Sequence, residues 1–254
     1  MQCYKTRRDE LQEINYQTWN KNKYPYGRGN SMDSYKDNGK TVNIYKCHEK
    51  NAPVVYVSSF EENGASLLED CRKLGSRPFN LVTISDIAWD EELSPWPSEP
   101  VVTKNDKFAG RADEYLEWLT KKVIPDVDNH IEAPSSRVLA GYSMAGMLSI
   151  YAACTITAFD GYVSASGSVW YPGFRDFVKE HGFKSGKAIY LSLGDKESNS
   201  RNKVLCTTKA VTQEIHEYCV SRIVRSIFEL NPGNHFREPD LRLAKGIKWV
   251  LENL

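Results

Sequence analysis

The segment LAGYSMAGML, Leu139–Leu148, sets Ser143 among small residues: Gly141 stands two before it, Ala145 two after it, and Gly146 next. A serine hydroxyl is a poor nucleophile at neutral pH until a base takes its proton, and the base works best when a carboxylate fixes its tautomer. Glycine-x-serine-x-small spacing permits the sharp turn that would push such a hydroxyl out of the chain. Ala145 stands where a second glycine is commoner, and one methyl group is tolerable where a following helix packs closely on the preceding strand. The pentapeptide alone is common enough to arise by chance in a chain of 254 residues. Only a base and an acid placed to serve the serine would give it chemical meaning.

Two later loops offer the missing groups. AIYLSL (188–193) runs into GDKES, which carries Asp195 and Glu197, and RSIFEL (225–230) runs into NPGNHF, which carries His235. A Pro-Gly turn delivers His235 from the end of a β-rich run. The other four histidines read as surface or capping residues: His48 beside Glu49 and Lys50, His130 at a helix end, His181 before Gly182, and His216 within a helix. Of the two acids, Glu197 stands three residues after Gly194, the offset favoured for such an acid, and it reaches farther. Asp195 would then cap the turn, and the choice between the two carboxylates stays open.

Attack on an acyl carbon also needs donors for the developing oxyanion. One is expected from the backbone N–H of Met144, directly after the serine, and the other from the loop after an early strand. YVSSFEENG supplies that loop; the Phe60 amide is the first choice, with Ser59 or Glu61 as alternatives. Two aromatic loops, AWDEELSPWPSEP (88–100) and SGSVWYPGF (166–174), bring Trp89, Trp96, Trp170 and Tyr171. These rings could line an apolar substrate pocket, or they could pin long loops to the core.

Positioning these groups requires a framework. Short β-branched runs at 53–58, 80–85, 137–141, 162–166, 188–193 and 225–230 alternate with helix-like segments at 65–74, 110–123, 145–153, 203–218 and 240–254. Alternation of this kind predicts a mostly parallel sheet covered by helices on both faces. Asn38-Gly39, between two alternating segments, predicts an antiparallel hairpin before it. Ser143, the acid and His235 then all fall just past carboxyl ends of strands, the edge where open α/β sheets bind ligands. Residues 1–30 read as an N-terminal extension, and 31–254 as a single domain.

Lys plus Arg and Asp plus Glu both number 33, so the net charge is zero, which argues against a broad surface for nucleic acid or anionic lipid. The chain has no run of 18 apolar residues, and its opening lacks the apolar core of a secretory signal, so a cytoplasmic location is expected. The six cysteines are scattered, without a C-x-x-C pair, and read as reduced thiols rather than a disulfide frame or zinc site.

From about Val42 onward the chain resembles the "putative esterase" family of α/β hydrolases, which includes esterase D, feruloyl esterases and siderophore trilactone hydrolases. The resemblance rests on SSFEENG, TISDIAWDEELSPWP, FAGRADEYLEWLTKKVIPDVD, LAGYSMAGMLSIYA, LSLGDKESNSRNKV and ELNPGNHF. It implies an α/β-hydrolase fold and a serine esterase without metal or organic cofactor, with Ser143 as nucleophile and His235 as base. Some trilactone hydrolases of this kind manage without the acid, so Glu197 or Asp195 is carried over least directly. The expectation is hydrolysis of a small-molecule carboxylic ester through an acyl-enzyme. The alternatives are acyl transfer to an alcohol from the same intermediate, and a hydrolase fold used only for binding.

Overall fold

The structure, a computed structural model, describes residues 32–60, 64–222 and 224–254. The extension expected over 1–30 lies outside the described residues. So does Glu61.

Eight strands form one sheet: β1 (Met32–Asp37), β2 (Lys40–Tyr45), β3 (Val54–Ser58), β4 (Asn80–Ser85), β5 (Arg137–Tyr142), β6 (Gly161–Ala165), β7 (Ala188–Gly194) and β8 (Arg225–Asn231). Their order is β1-β2-β4-β3-β5-β6-β7-β8. The first two pair antiparallel, β2 pairs antiparallel with β4, and every later pairing is parallel. Asn38 and Gly39 join β1 to β2, both at positive φ (51° and 75°), as a two-residue hairpin turn requires.

Strands β3, β4, β6 and β7 are buried along their whole length. Runs such as VVYVS and AIYLSLG are apolar on both faces because helices cover both. Successive residues serve opposite layers: Val138 and Ala140 of β5 face one core, and Leu139 faces the other.

The helices are α1 (Ala65–Lys73), α2 (Trp89–Glu92), α3 (Ala112–Trp118), α4 (Ile124–Asp128), α5 (Met144–Thr155), α6 (Phe174–His181), α7 (Thr208–Ser221) and α8 (Pro239–Glu252). Leu67 and Cys71 of α1 join Leu243, Ile247 and Val250 of α8 in the core on one face. Helices α3, α5 and α7 contribute to the other. Met144–Cys154 of α5 are all buried, as expected for a helix that is apolar all round.

Besides the short helix α2, which falls within what reads as an aromatic loop, three elements differ from the sequence expectations. The helix expected to stop at Val123 continues to Asp128 through a wider π-helical stretch, Leu119–Val123. Pro125 would clash with the carbonyl four residues earlier in a regular helix, and the wide turn lets the chain pass that point. Helix α6 was not expected, because its approach, Trp-Tyr-Pro-Gly, reads as loop; Gly173 at φ 83° turns the chain into it. The short strands Pro97–Ser98 and Phe108–Ala109 form a separate two-stranded ribbon inside what reads as irregular chain.

Candidate active site

Ser143 sits between β5 and α5 with φ 58° and ψ −121°, a conformation that costs a non-glycine residue about 1–3 kcal/mol. The surrounding bonds hold it there. Its amide donates to Ala165 O at 3.1 Å, and its carbonyl accepts from Met147 N at 3.1 Å and Ser168 N at 3.0 Å. The small residues around it are demanded by contact: a Cβ on Gly141 would lie 2.3 Å from the Ala145 carbonyl carbon and oxygen. Helix and strand therefore meet with no room to spare, and Ala145 itself packs against the glycine.

The sheet register gathers the other groups. Strand β5 carries Ser143 at its carboxyl end, β7 opens into the loop with Glu197, and β8 opens into the loop with His235. His235 Nε2 lies 3.1 Å from Ser143 Oγ. His235 Nδ1 lies 2.8 Å from Glu197 Oε2. A carboxylate can only accept, so Nδ1 carries the ring proton and Nε2 turns its lone pair toward the serine hydroxyl. Asp195 is placed elsewhere: its Oδ1 accepts the Gly233 amide at 2.8 Å, tying the two loops together on the surface.

Glu197 is 6 % exposed and His235 30 %. Burial alone would push the Glu197 carboxyl up, but the hydrogen bond and charge of His235, with the Gly194 amide and Ser166 hydroxyl, hold it below the ordinary carboxylate range. An ionised carboxylate beneath the ring is the arrangement that stabilises a proton gained at Nε2.

Several residues that the sequence did not single out complete the site. Arg242 of α8, 2 % exposed, places Nη1 3.0 Å from Glu197 Oε1. Ser166, at φ 47°, donates from Oγ to the same Oε1 at 2.7 Å. Tyr142 donates its hydroxyl to the His235 carbonyl at 2.5 Å. Ser168 Oγ lies 3.3 Å from Ser143 Oγ. A signal for Arg242 exists in hindsight: it stands four residues before Gly246 and eight before Val250, on the buried stripe of α8.

Of the expected oxyanion donors, Met144 N–H opens α5 beside the serine. Strand β3 is aligned with β5 so that Ser58 is opposite Gly141, and the loop that carries Phe60 leaves β3 beside that end of β5. The Ser59 amide is already donated to Ile84 O at 2.8 Å. The aromatic residues divide. Trp89 stacks on exposed Phe60, ring centroids 3.8 Å apart. Tyr171 is buried and donates its hydroxyl to Trp96 O, while Trp96 Nε1 donates to Pro172 O, so these two rings lock one loop to the other. Trp170 is half-buried at the edge of that packing, 6.5 Å from Tyr171.

The four remaining histidines are spent on packing and capping or stand exposed. His130 bonds Asp33, His181 bonds Phe177 O, and His216 bonds Ser226; His48 is exposed. Among the described residues no group of acidic, histidine and cysteine side chains is arranged to hold a metal ion, and no helix is long and apolar enough to cross a membrane.

A sheet of this order, with a strained serine on a tight turn between central strand and buried helix, defines an α/β hydrolase. The chain belongs to the family described as "Putative esterase", whose profile matches residues 40–238, and it is a carboxylic-ester hydrolase. No curated protein matches it. Among solved structures, it is similar to an IroE-like serine hydrolase from Shewanella oneidensis (15 % identity, TM-score 0.75, 88 % of this chain and 80 % of that one). It is also similar to the siderophore hydrolase EstA from Aspergillus nidulans (17 %, TM-score 0.69, 94 % and 99 %). The enterobactin esterase FES from Shigella flexneri, solved in the presence of enterobactin, gives 17 % and a TM-score of 0.67, with 91 % of this chain and 59 % of that one covered. At these identities the likeness speaks for the fold.

Proposed function

We propose that the protein hydrolyses a small-molecule carboxylic ester through an acyl-enzyme formed on Ser143, with His235 as general base and then acid, and Glu197 as the carboxylate that orients it. The observation that carries this reading is the single imidazole joining the other two side chains, Nε2 at 3.1 Å from Ser143 Oγ and Nδ1 at 2.8 Å from Glu197 Oε2.

His235 Nε2 takes the hydroxyl proton as Ser143 Oγ bonds to the ester carbon, and the carbonyl electrons move onto oxygen. The amides of Met144 and Phe60 receive that oxyanion; losing one donor of this kind typically costs about 3–4 kcal/mol of transition-state stabilisation. When the carbonyl re-forms, the bond to the leaving oxygen breaks and His235 returns the proton to it. A water molecule then gives its proton to Nε2 and attacks the acyl carbon, and collapse of the second intermediate breaks the bond to Ser143 Oγ, which takes the proton back from Nε2. The chain's own groups suffice for each of these proton transfers.

The exposed face of Phe60, backed by Trp89, favours an ester with a flat aromatic or apolar part next to the scissile bond. Siderophore, enterobactin and ferulic acid esters, named for the structural relatives, supply a panel to try beside p-nitrophenyl esters. The test is kcat/KM over that panel for wild type and Ser143→Ala, with fluorophosphonate labelling of the folded protein. Wild type is expected to label and turn over at least one aryl ester, and Ser143→Ala to do neither. Full esterase activity in Ser143→Ala would refute the assignment.

A further inference from the structure

The buried arginine of α8 does more than neutralise a charge. Arg242 Nη1 donates to Glu197 Oε1 at 3.0 Å and to Ser166 Oγ at 3.0 Å, and lies 3.3 Å from the Tyr142 hydroxyl. Its other nitrogen, Nη2, donates to the carbonyls of Pro232 at 3.1 Å and Asn234 at 2.9 Å. Pro232 and Asn234 are the residues of the turn that presents His235. One planar group thus holds the acid with one arm and the backbone of the base's loop with the other.

The two carboxylate oxygens are consequently unlike. Oε1 accepts from the Gly194 amide at 2.6 Å, from Ser166 at 2.7 Å and from Arg242, while Oε2 is the one that meets His235. With Oε1 held by three donors, the carboxylate cannot rotate to swap its oxygens. The ring is fixed from its backbone side as well, because Tyr142, the residue before the serine, donates to the His235 carbonyl and lies within reach of Arg242.

We infer that Arg242 is a positioning residue for the reaction, a fork that sets the distance between the acid loop after β7 and the histidine loop after β8. This rests on the proposed roles of Ser143, His235 and Glu197. Arg242 touches no reacting atom and acts through Glu197 and the turn at 232–234. A guanidinium suits the task because its donors are spread in one fixed plane and reach both loops at once, whereas an ammonium gathers its donors at a single point.

The experiment compares Arg242→Gln, Arg242→Lys, Glu197→Gln and the double variant Glu197→Gln/Arg242→Gln with wild type, using steady-state hydrolysis of a p-nitrophenyl ester and thermal melts to confirm folding. A displacement of about 1 Å in such a constellation lowers rate on the order of 10²-fold, so Arg242→Gln is expected to lose about that factor in kcat with KM unchanged. Arg242→Lys is expected to fall between Arg242→Gln and wild type. Because one arm of the arginine acts through Glu197, the double variant should lose less than the product of the two single losses.

A folded Arg242→Gln enzyme with wild-type kcat, a loss carried by KM, or a double variant showing the full product of the two single losses would each overturn the inference. If Arg242→Gln does not fold, Arg242→Lys decides: lower kcat at constant KM supports the fork, and wild-type kcat refutes it. Ser143→Ala is run in parallel. Activity surviving there would fail the parent reading whatever the Arg242 variants do, while its loss together with wild-type Arg242 variants would fail the fork alone.

Discussion

Replacement of Glu197 by glutamine keeps the shape of the side chain and changes its hydrogen-bonding capacity at one point. The native carboxylate has two accepting oxygens, one facing three donors and one facing the His235 Nδ1 proton. Glutamine has one oxygen. With that oxygen left among the three donors, its NH₂ faces Nδ1, which must release its proton and accept. Nε2 then carries the proton and can no longer receive one from Ser143. The corresponding acid-to-amide change in a serine triad lowers kcat about 10⁴-fold. Stability should fall too, because Arg242, 2 % exposed, is left without its carboxylate. Breaking a buried pair from one side costs about 3–5 kcal/mol, and about 2–4 °C of Tm goes with each kcal/mol in a chain of this size. A drop of about 6–20 °C is therefore expected, by differential scanning calorimetry, beside the loss of p-nitrophenyl ester turnover. Asp195→Asn is the control: its oxygen can still accept the Gly233 amide, a bond worth about 1 kcal/mol, so turnover should stay near wild type. An active Glu197→Gln enzyme paired with an inactive Asp195→Asn one would refute the reasoning and move the acid to 195.

Other consequences can be measured independently. Gly141→Ala drives a methyl group into the Ala145 backbone; a loss of about 3 kcal/mol and of esterase activity is expected from urea unfolding and turnover, and wild-type values for both would show that the turn yields easily. Because the Glu197 carboxyl is held below the ordinary range, its stabilisation is fully present above the unfolded pKa of about 4.3 and drains as pH falls through the lower folded value. Wild-type Tm should therefore decline below about pH 4 more steeply than that of Glu197→Gln, and parallel declines would contradict it. Burial pushes the thiols of Cys71, Cys154 and Cys219 up to about 12, whereas Cys206 is exposed. Iodoacetamide with peptide mapping should mark Cys206 in the folded protein and spare those three until denaturant is added; early alkylation of all of them would mean the core opens readily.

What the sequence revealed and what it concealed have separate physical causes. The six expected β-branched runs coincide with β3 to β8; β3, β4, β6 and β7 stand out because strands buried on both faces must be apolar throughout, and Asn38-Gly39 marked the hairpin because few other pairs accept two positive φ values. The order of Ser143, Glu197 and His235 along the chain was readable since each stands just past a strand end. Their mutual distances were not, since these depend on register between strands far apart in sequence. Helix α6 was hidden by an approach whose proline and glycine mark a turn without saying which element lies beyond it. Arg242 looked like any charge in a lysine- and arginine-bearing helix, because burial of a cation becomes intelligible only when its carboxylate and carbonyl partners, 45 residues away for Glu197 and 10 and 8 away for the turn, have been folded onto it. The aromatic loops left two roles open, and packing divides them: Trp96 and Tyr171 fasten loop to loop, while Phe60 over Trp89 faces outward.

That division has an engineering corollary. The rings at 60 and 89 stand on chain leaving β3 and β4, whereas the hydroxyl, imidazole and carboxylate stand on chain leaving β5, β7 and β8 and are cross-braced from beneath by α8. On the proposed reading, the side chains at 60 and 89 bear on ester preference and those at 143, 197 and 235 on reactivity, so a library varied at 60 and 89, with proline left out at 60 to keep its amide donor, can be screened for altered ester preference.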